Sequence, residues 1–127
     1  MSANPADRQY SQSHEWFLVN GDIVTIGITK FAADELTDIT FVDLPKVGSA
    51  VTSEQSFCQV ESVKATSDVY SFVTGKIIEV NDALASEPGL VNTDSFCKGW
   101  LVKVKATDVS GLKECMDVDA YEAMLKQ

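Results

Sequence analysis

The string Glu61-Ser62-Val63-Lys64-Ala65-Thr66-Ser67-Asp68 sets one lysine between two small apolar residues, after one strand-like run and before another. The four residues Lys64, Ala65, Thr66 and Ser67 suit a hairpin loop. A primary amine on such a tip is a handle for acylation, which removes its charge and lengthens its arm. The alternative is an ordinary solvated lysine, and spacing alone favours that one. A nucleophilic Schiff-base lysine needs burial or a cationic neighbour. The neighbours here are Glu61 and Asp68, so the string argues against that enzymatic role.

The other reactive side chains organise poorly. His14 is the one histidine, which removes the usual two-histidine metal sites. Cys58, Cys97 and Cys115 are odd in number and widely spaced, a poor disulfide framework and a poor zinc site. They fit a reducing compartment. A hydrolase built on Cys58 or Cys97 with His14 lacks any local motif tying thiol to imidazole, so His14 reads as structural. Trp16 and Trp100 read as core or groove walls. No catalytic residue and no metal ligand set is assigned.

The elements that must position Lys64 are mostly strands. Trp16-Phe17-Leu18-Val19 and Ile23 to Ile28 flank Asn20-Gly21-Asp22, a strong hairpin turn. Lys30 to Leu36 suits a short helix with Thr29 as N-cap. Ile39 to Leu44 returns to strand and stops before Pro45. Phe57 to Val63, Val69 to Val73, Lys76 to Val80 and Trp100 to Lys105 are further strands. Asn81 to Ser86 allows one helical turn, and Asp108 to Cys115 another short helix weakened by Gly111. Asp117 caps a C-terminal helix with Val118, Tyr121, Met124 and Leu125 on one face. Short strands between frequent turns predict a β-sandwich or barrel with helices at its edges. Residues 1–9 read as a flexible tail ahead of a single domain over 10–127.

Length and composition agree. The chain has 127 residues, 45% hydrophobic and 23% charged, enough apolar matter for one core. Its net charge of −9 argues against nucleic acid and anionic membrane, and suits protein partners with basic patches. No targeting segment or spanning apolar stretch is evident, which predicts a cytoplasmic protein.

Several strings, in order over roughly residues 10 to 125, resemble the glycine cleavage system H proteins. Glu61-Ser62-Val63-Lys64-Ala65 is similar to their acceptor motif. Ser13-His14-Glu15-Trp16, Val24 to Thr29, Asp38 to Pro45, Ser67 to Ser71, Leu90-Val91-Asn92 and Gly99-Trp100-Leu101 continue the likeness. The resemblance implies a mainly β, lipoyl-type flattened barrel-sandwich with Lys64 at a hairpin tip. It implies lipoic acid in amide linkage on Lys64, and a carrier rather than an enzyme. The implied partners are a pyridoxal-phosphate glycine decarboxylase, a tetrahydrofolate-dependent aminomethyltransferase, dihydrolipoamide dehydrogenase and a lipoyl-attaching enzyme. The carrier would be a monomer moving the aminomethyl group in glycine catabolism and one-carbon metabolism, in the cytoplasm or, in a eukaryote, the mitochondrial matrix. Ser13, Glu15 and Asp68 match positions that line a groove for the loaded arm. The alternative is an H-like protein relaying lipoyl groups to other lipoyl domains. A biotin carrier fits less well, since methionine does not flank Lys64.

The string departs from the family at a few places. Phe72 and Ser95 replace frequent prolines, and Glu54, Cys58 and Cys97 replace frequent glycines. The glycine losses alter turn shape wherever positive φ is needed.

Overall fold

A computed structural model describes residues 4–126. Among the described residues, nine strands form two sheets: β1 (Gln9–Tyr10), β2 (Glu15–Asn20), β3 (Ile23–Ile28), β4 (Ile39–Asp43), β5 (Ala50–Val51), β6 (Gln55–Ser62), β7 (Thr66–Ser71), β8 (Thr74–Val80) and β9 (Val102–Asp108). One sheet runs β1-β2-β3-β9-β8-β5 and the other β4-β6-β7. The helices α1 (Lys30–Leu36), α2 (Ala83–Ser86), α3 (Leu90–Thr93) and α4 (Val118–Leu125) stand at the edges. A 3₁₀ turn covers Ser110–Glu114. The sheets pack as a flattened sandwich and do not close, as the alternation of short strands and turns predicts.

The sandwich forms because alternate strand residues are apolar. Phe17, Val24, Ile26, Val42, Val60, Val69, Ile77, Val102 and Val104 are all buried in one cluster. A second cluster, Tyr10, Trp16 and Tyr121, sits where α4 meets the first strands. The Trp16 indole N–H donates to the carbonyls of Ile28 and Ser95, both at 3.1 Å, so its polar edge is satisfied. Gly27 lies directly opposite Trp16, and a Cβ there would fall 2.5 Å from the indole. The β2–β3 hairpin turns at Gly21, whose φ of 66° suits a residue without a Cβ.

Both anticipated caps are present. Thr29 Oγ1 accepts the Ala32 N–H at 3.2 Å to start α1, and Asp117 Oδ1 accepts the Ala120 N–H at 2.9 Å to start α4. The strand expected over Trp100 to Lys105 instead runs Val102–Asp108. Asn81 explains the shift, because its Nδ2 donates to the carbonyls of Lys98 at 2.7 Å and Trp100 at 2.8 Å and holds that segment as a loop. The strand expected over Val69 to Val73 ends at Ser71, whose hydroxyl takes the Val73 N–H at 3.1 Å and turns the chain.

Part of the segment expected as a loose tail makes contacts with the domain; residues 1–3 lie outside the described residues. Arg8 stacks 4.6 Å from the Trp16 ring centroid and donates to the Phe96 carbonyl at 2.8 Å, while Gln9 pairs with Phe17. A cation over an indole face, largely shielded from water, is a favourable anchor.

Candidate functional site

Lys64 sits where strand pairing ends. Glu61 pairs with Thr66 in the last row of the β6–β7 hairpin, and Ser62 N–H donates to the Ala65 carbonyl at 2.8 Å to close the tip. Ser62 makes the tip stiff. Its hydroxyl accepts the N–H groups of Lys64 at 3.1 Å and Ala65 at 3.0 Å, and donates to the Ala65 carbonyl at 3.1 Å. A serine hydroxyl offers one donor and two acceptors, so this one residue satisfies the turn. Val63 and Ala65 are exposed, and Val63 keeps 71% of its surface. The Lys64 ammonium donates to the Glu35 carbonyl at 3.1 Å, at the C-terminal end of α1. Among the described residues no carboxylate lies within ion-pair distance of it.

The tip rests on the turn after α1. Val63 N–H donates to the Asp38 carbonyl at 3.2 Å. Thr37, just before Asp38, has φ 64° and ψ −143°, a backbone region that nearly excludes side chains. Asn92 on α3 binds both sides of this turn, and the sequence gives no local sign of it. Its partners Ile39 and Ala33 lie 53 and 59 residues away along the chain.

Ser13 and Glu15 come together, as one polar knot. Glu15 is only 1% exposed. Its Oε1 accepts from the Ser11 hydroxyl and from the Ser13 hydroxyl at 2.6 Å. Its Oε2 accepts the Tyr70 N–H at 3.1 Å. β7 is an edge strand, so Tyr70 N–H would otherwise lack a partner. Burial raises the Glu15 pKa, and the Ser11, Ser13 and Tyr70 donors pull it back. Glu15 is thus an interior acceptor rather than an open carboxylate.

Asp68 lies apart from that knot. It stands exposed on the outer face of the three-stranded sheet, in the row Asp43–Gln59–Asp68, and accepts from Gln59 Nε2 at 2.9 Å. The next row holds Phe41, Glu61 and Thr66, with Phe41 50% exposed. The face beside Lys64 therefore mixes carboxylates with an open aromatic ring.

A cavity of about 410 Å³ is lined by Gln12, Ser13, Glu54, Phe72 and Glu114. It opens at the far end of the hairpin from Lys64, since Glu54 precedes β6 and Phe72 follows β7. Eight strand residues at roughly 3.3 Å each put the two ends about 25 Å apart. Ser13 thus faces this cavity and Asp68 the tip end. Glu54, expected above to stand in place of a glycine, has φ 68°.

His14 is structural in its contacts. It has φ 74°, its Nδ1 lies 2.8 Å from the Tyr121 hydroxyl, and its ring packs on Phe31. Burial lowers its pKa, opposed by the Glu35 charge. The cysteines remain free and separate, and burial pushes the Cys58 and Cys115 thiols up to about 12.

The chain is similar to known proteins along almost its whole length. The family described as glycine cleavage H-protein matches residues 8–127. The glycine cleavage system H protein of Bradyrhizobium diazoefficiens is 49% identical over 114 residues, covering 90% of this chain and 93% of that protein. That of Escherichia coli strain K12 / DH10B is 46% identical over 127 residues, covering 99% of this chain and 98% of that protein. The crystal structure of a glycine cleavage system H protein from Mycobacterium marinum matches with a TM-score of 0.90 at 36% identity, covering 98% of this chain and all of the other.

Proposed function

The chain belongs to the glycine cleavage H-protein family, and from that premise we propose that Lys64 is the residue on which it bears its lipoyl arm. Its role is that of a lipoyl carrier in the glycine cleavage system. The observation that carries the residue assignment is the tip itself: an exposed amine, without a carboxylate partner among the described residues, on a turn stiffened by the Ser62 hydroxyl.

The residues present fit an amide-linked lipoyl group. Val63 and Ala65 put no competing nucleophile beside the amine, and Ser62 spends its hydroxyl on the turn. Acylation exchanges one N–H of Nζ for an amide bond and removes the positive charge. The bound group supplies a dithiolane that accepts and passes on an aminomethyl unit. The protein supplies a fixed base and a path between partners.

The other proposed roles follow from position. Asp68, Glu61 and Asp43 give the tip end a negative face that steers basic docking surfaces. The partners are the PLP-dependent glycine decarboxylase, the aminomethyltransferase, dihydrolipoamide dehydrogenase and the lipoyl-attaching enzyme. Asp68 is the groove residue within the tip's neighbourhood. Ser13 and Glu15 brace the wall behind it through the Tyr70 amide.

The test is intact and peptide mass after co-expression with a lipoyl-attaching enzyme. One lipoyl-sized increment on the peptide containing Lys64 is the expected result. No increment, or one on another lysine, removes the assignment.

A further inference from the structure

We infer that Asn92 is a positioning residue for the acceptor lysine, clamping the turn on which the Lys64 tip rests. The inference builds on the assignment of Lys64 as the attachment point.

Asn92 uses both ends of its amide. Nδ2 donates to the Thr37 carbonyl at 2.7 Å and the Ala33 carbonyl at 3.3 Å. Oδ1 accepts the Ile39 N–H at 2.9 Å. Two carbonyls need donors and one N–H needs an acceptor, so only this orientation of the amide satisfies all three. Thr37 and Ile39 flank Asp38, so the Asp38 peptide is pinned on both sides. Its carbonyl takes the Val63 N–H at 3.2 Å, and Lys64 is the next residue. The same turn ends α1, whose Glu35 carbonyl receives the Lys64 ammonium. One side chain on α3 therefore fixes both surfaces that the tip touches.

The clamp has something to hold. Thr37 lies in a backbone region that β-branched residues avoid, and such a conformation persists only where its surroundings enforce it. Without the donor to its carbonyl, the turn relaxes and the Asp38 carbonyl leaves the Val63 amide. The tip then samples open forms, and a docking enzyme must select the competent one.

The experiment compares the full chain with Asn92→Ala and Asn92→Asp. The aspartate keeps an acceptor for Ile39 N–H and loses both donors, so it carries the test if the alanine variant does not fold. Amide exchange is followed at Val63 and at core residues Val24 and Val104, and lipoylation by a lipoyl-attaching enzyme is followed by mass. The expected result is roughly tenfold faster exchange at Val63, with a KM for lipoylation raised roughly three- to tenfold and kcat little changed. Val104→Ala, a destabilised control away from the turn, leaves the KM as it was. Unchanged Val63 exchange and KM in folded Asn92 variants overturn the clamp and leave Asn92 a structural residue. If the unaltered chain takes no lipoyl group, the Lys64 assignment fails, while exchange at Val63 still decides whether Asn92 clamps the tip.

Discussion

Glu15 Oε2 accepts the backbone N–H of Tyr70 at 3.1 Å, so a side chain from the six-stranded sheet closes a bond on the free edge of the three-stranded one. The same carboxylate takes the Ser11 and Ser13 hydroxyls on its other oxygen. One buried group thus joins the turn before β2 to the strand that leads away from the Lys64 tip.

That bridge has a pH signature. Burial raises the Glu15 pKa above its ordinary 4.5. A carboxyl raised on folding contributes stability that is complete below the unfolded value and is lost as pH rises through the folded value. The wild-type chain therefore loses stability relative to Glu15→Gln as pH climbs above 4.5. Urea midpoints of both proteins from about pH 4 to about pH 8 check this, and the wild-type midpoint minus that of Glu15→Gln is expected to fall with pH and then level off. A constant gap would mean that the ionisation of Glu15 is not linked to folding.

The turn under the tip predicts a stabilising substitution. Thr37 at φ 64° and ψ −143° occupies a region that costs about 1–3 kcal/mol for a residue with a Cβ. Glycine relieves that strain and costs about 0.5–1 kcal/mol in unfolded-state entropy. Thr37→Gly is expected to gain about 1 kcal/mol, seen as a Tm higher by roughly 3–5 °C. Glu54→Gly, at φ 68°, is expected to stabilise in the same direction. A fall in Tm for Thr37→Gly would show that the Thr37 hydroxyl bond to the Leu36 carbonyl outweighs the strain.

Much of this architecture was legible in local sequence. The β-branched run Ile23–Ile28, the turn at Gly21, the caps Thr29 and Asp117 and the tip at Lys64 each rest on residues within a few positions. The strands β1 and β5 were not legible, because two residues carry no periodicity and exist only through their partners. Glu15 reads only as a position lining a groove until Tyr70 is brought to it from 55 residues away. Asn92 was legible as part of Leu90-Val91-Asn92, but its purpose lies in a turn far upstream. The glycine departure at Glu54 does sit at positive φ, whereas Cys58 and Cys97 do not.

The three thiols should separate sharply in reactivity. Cys97 is exposed, Cys58 is buried and Cys115 is partly covered. Burial pushes Cys58 and Cys115 up to about 12, with Asp43 adding to the first and Glu15 and Glu114 to the second. The thiolate is the attacking form, so both are unreactive at neutral pH. A thiol reagent at neutral pH is expected to label one site per native chain quickly, lost in Cys97→Ser, and three sites after denaturation. Fast labelling of Cys115 in the native protein would contradict this placement.

Lys64→Arg separates chemistry from support. The ammonium is exposed, and its polar partner in the structure is the Glu35 carbonyl, which a guanidinium also serves. The tip's own bonds run through Ser62, Ala65 and the backbone of Val63, none of which the substitution touches. Stability is therefore expected to stay within about 0.5 kcal/mol of wild type. A guanidinium is far less nucleophilic than an amine, so no lipoyl group is attached and glycine cleavage, assayed with the partner enzymes, falls to background. Retention of measurable cleavage by a folded, unlipoylated Lys64→Arg chain would sink the assignment. Loss of cleavage together with an unchanged melting curve places the function in the amine of residue 64 rather than in the fold that presents it.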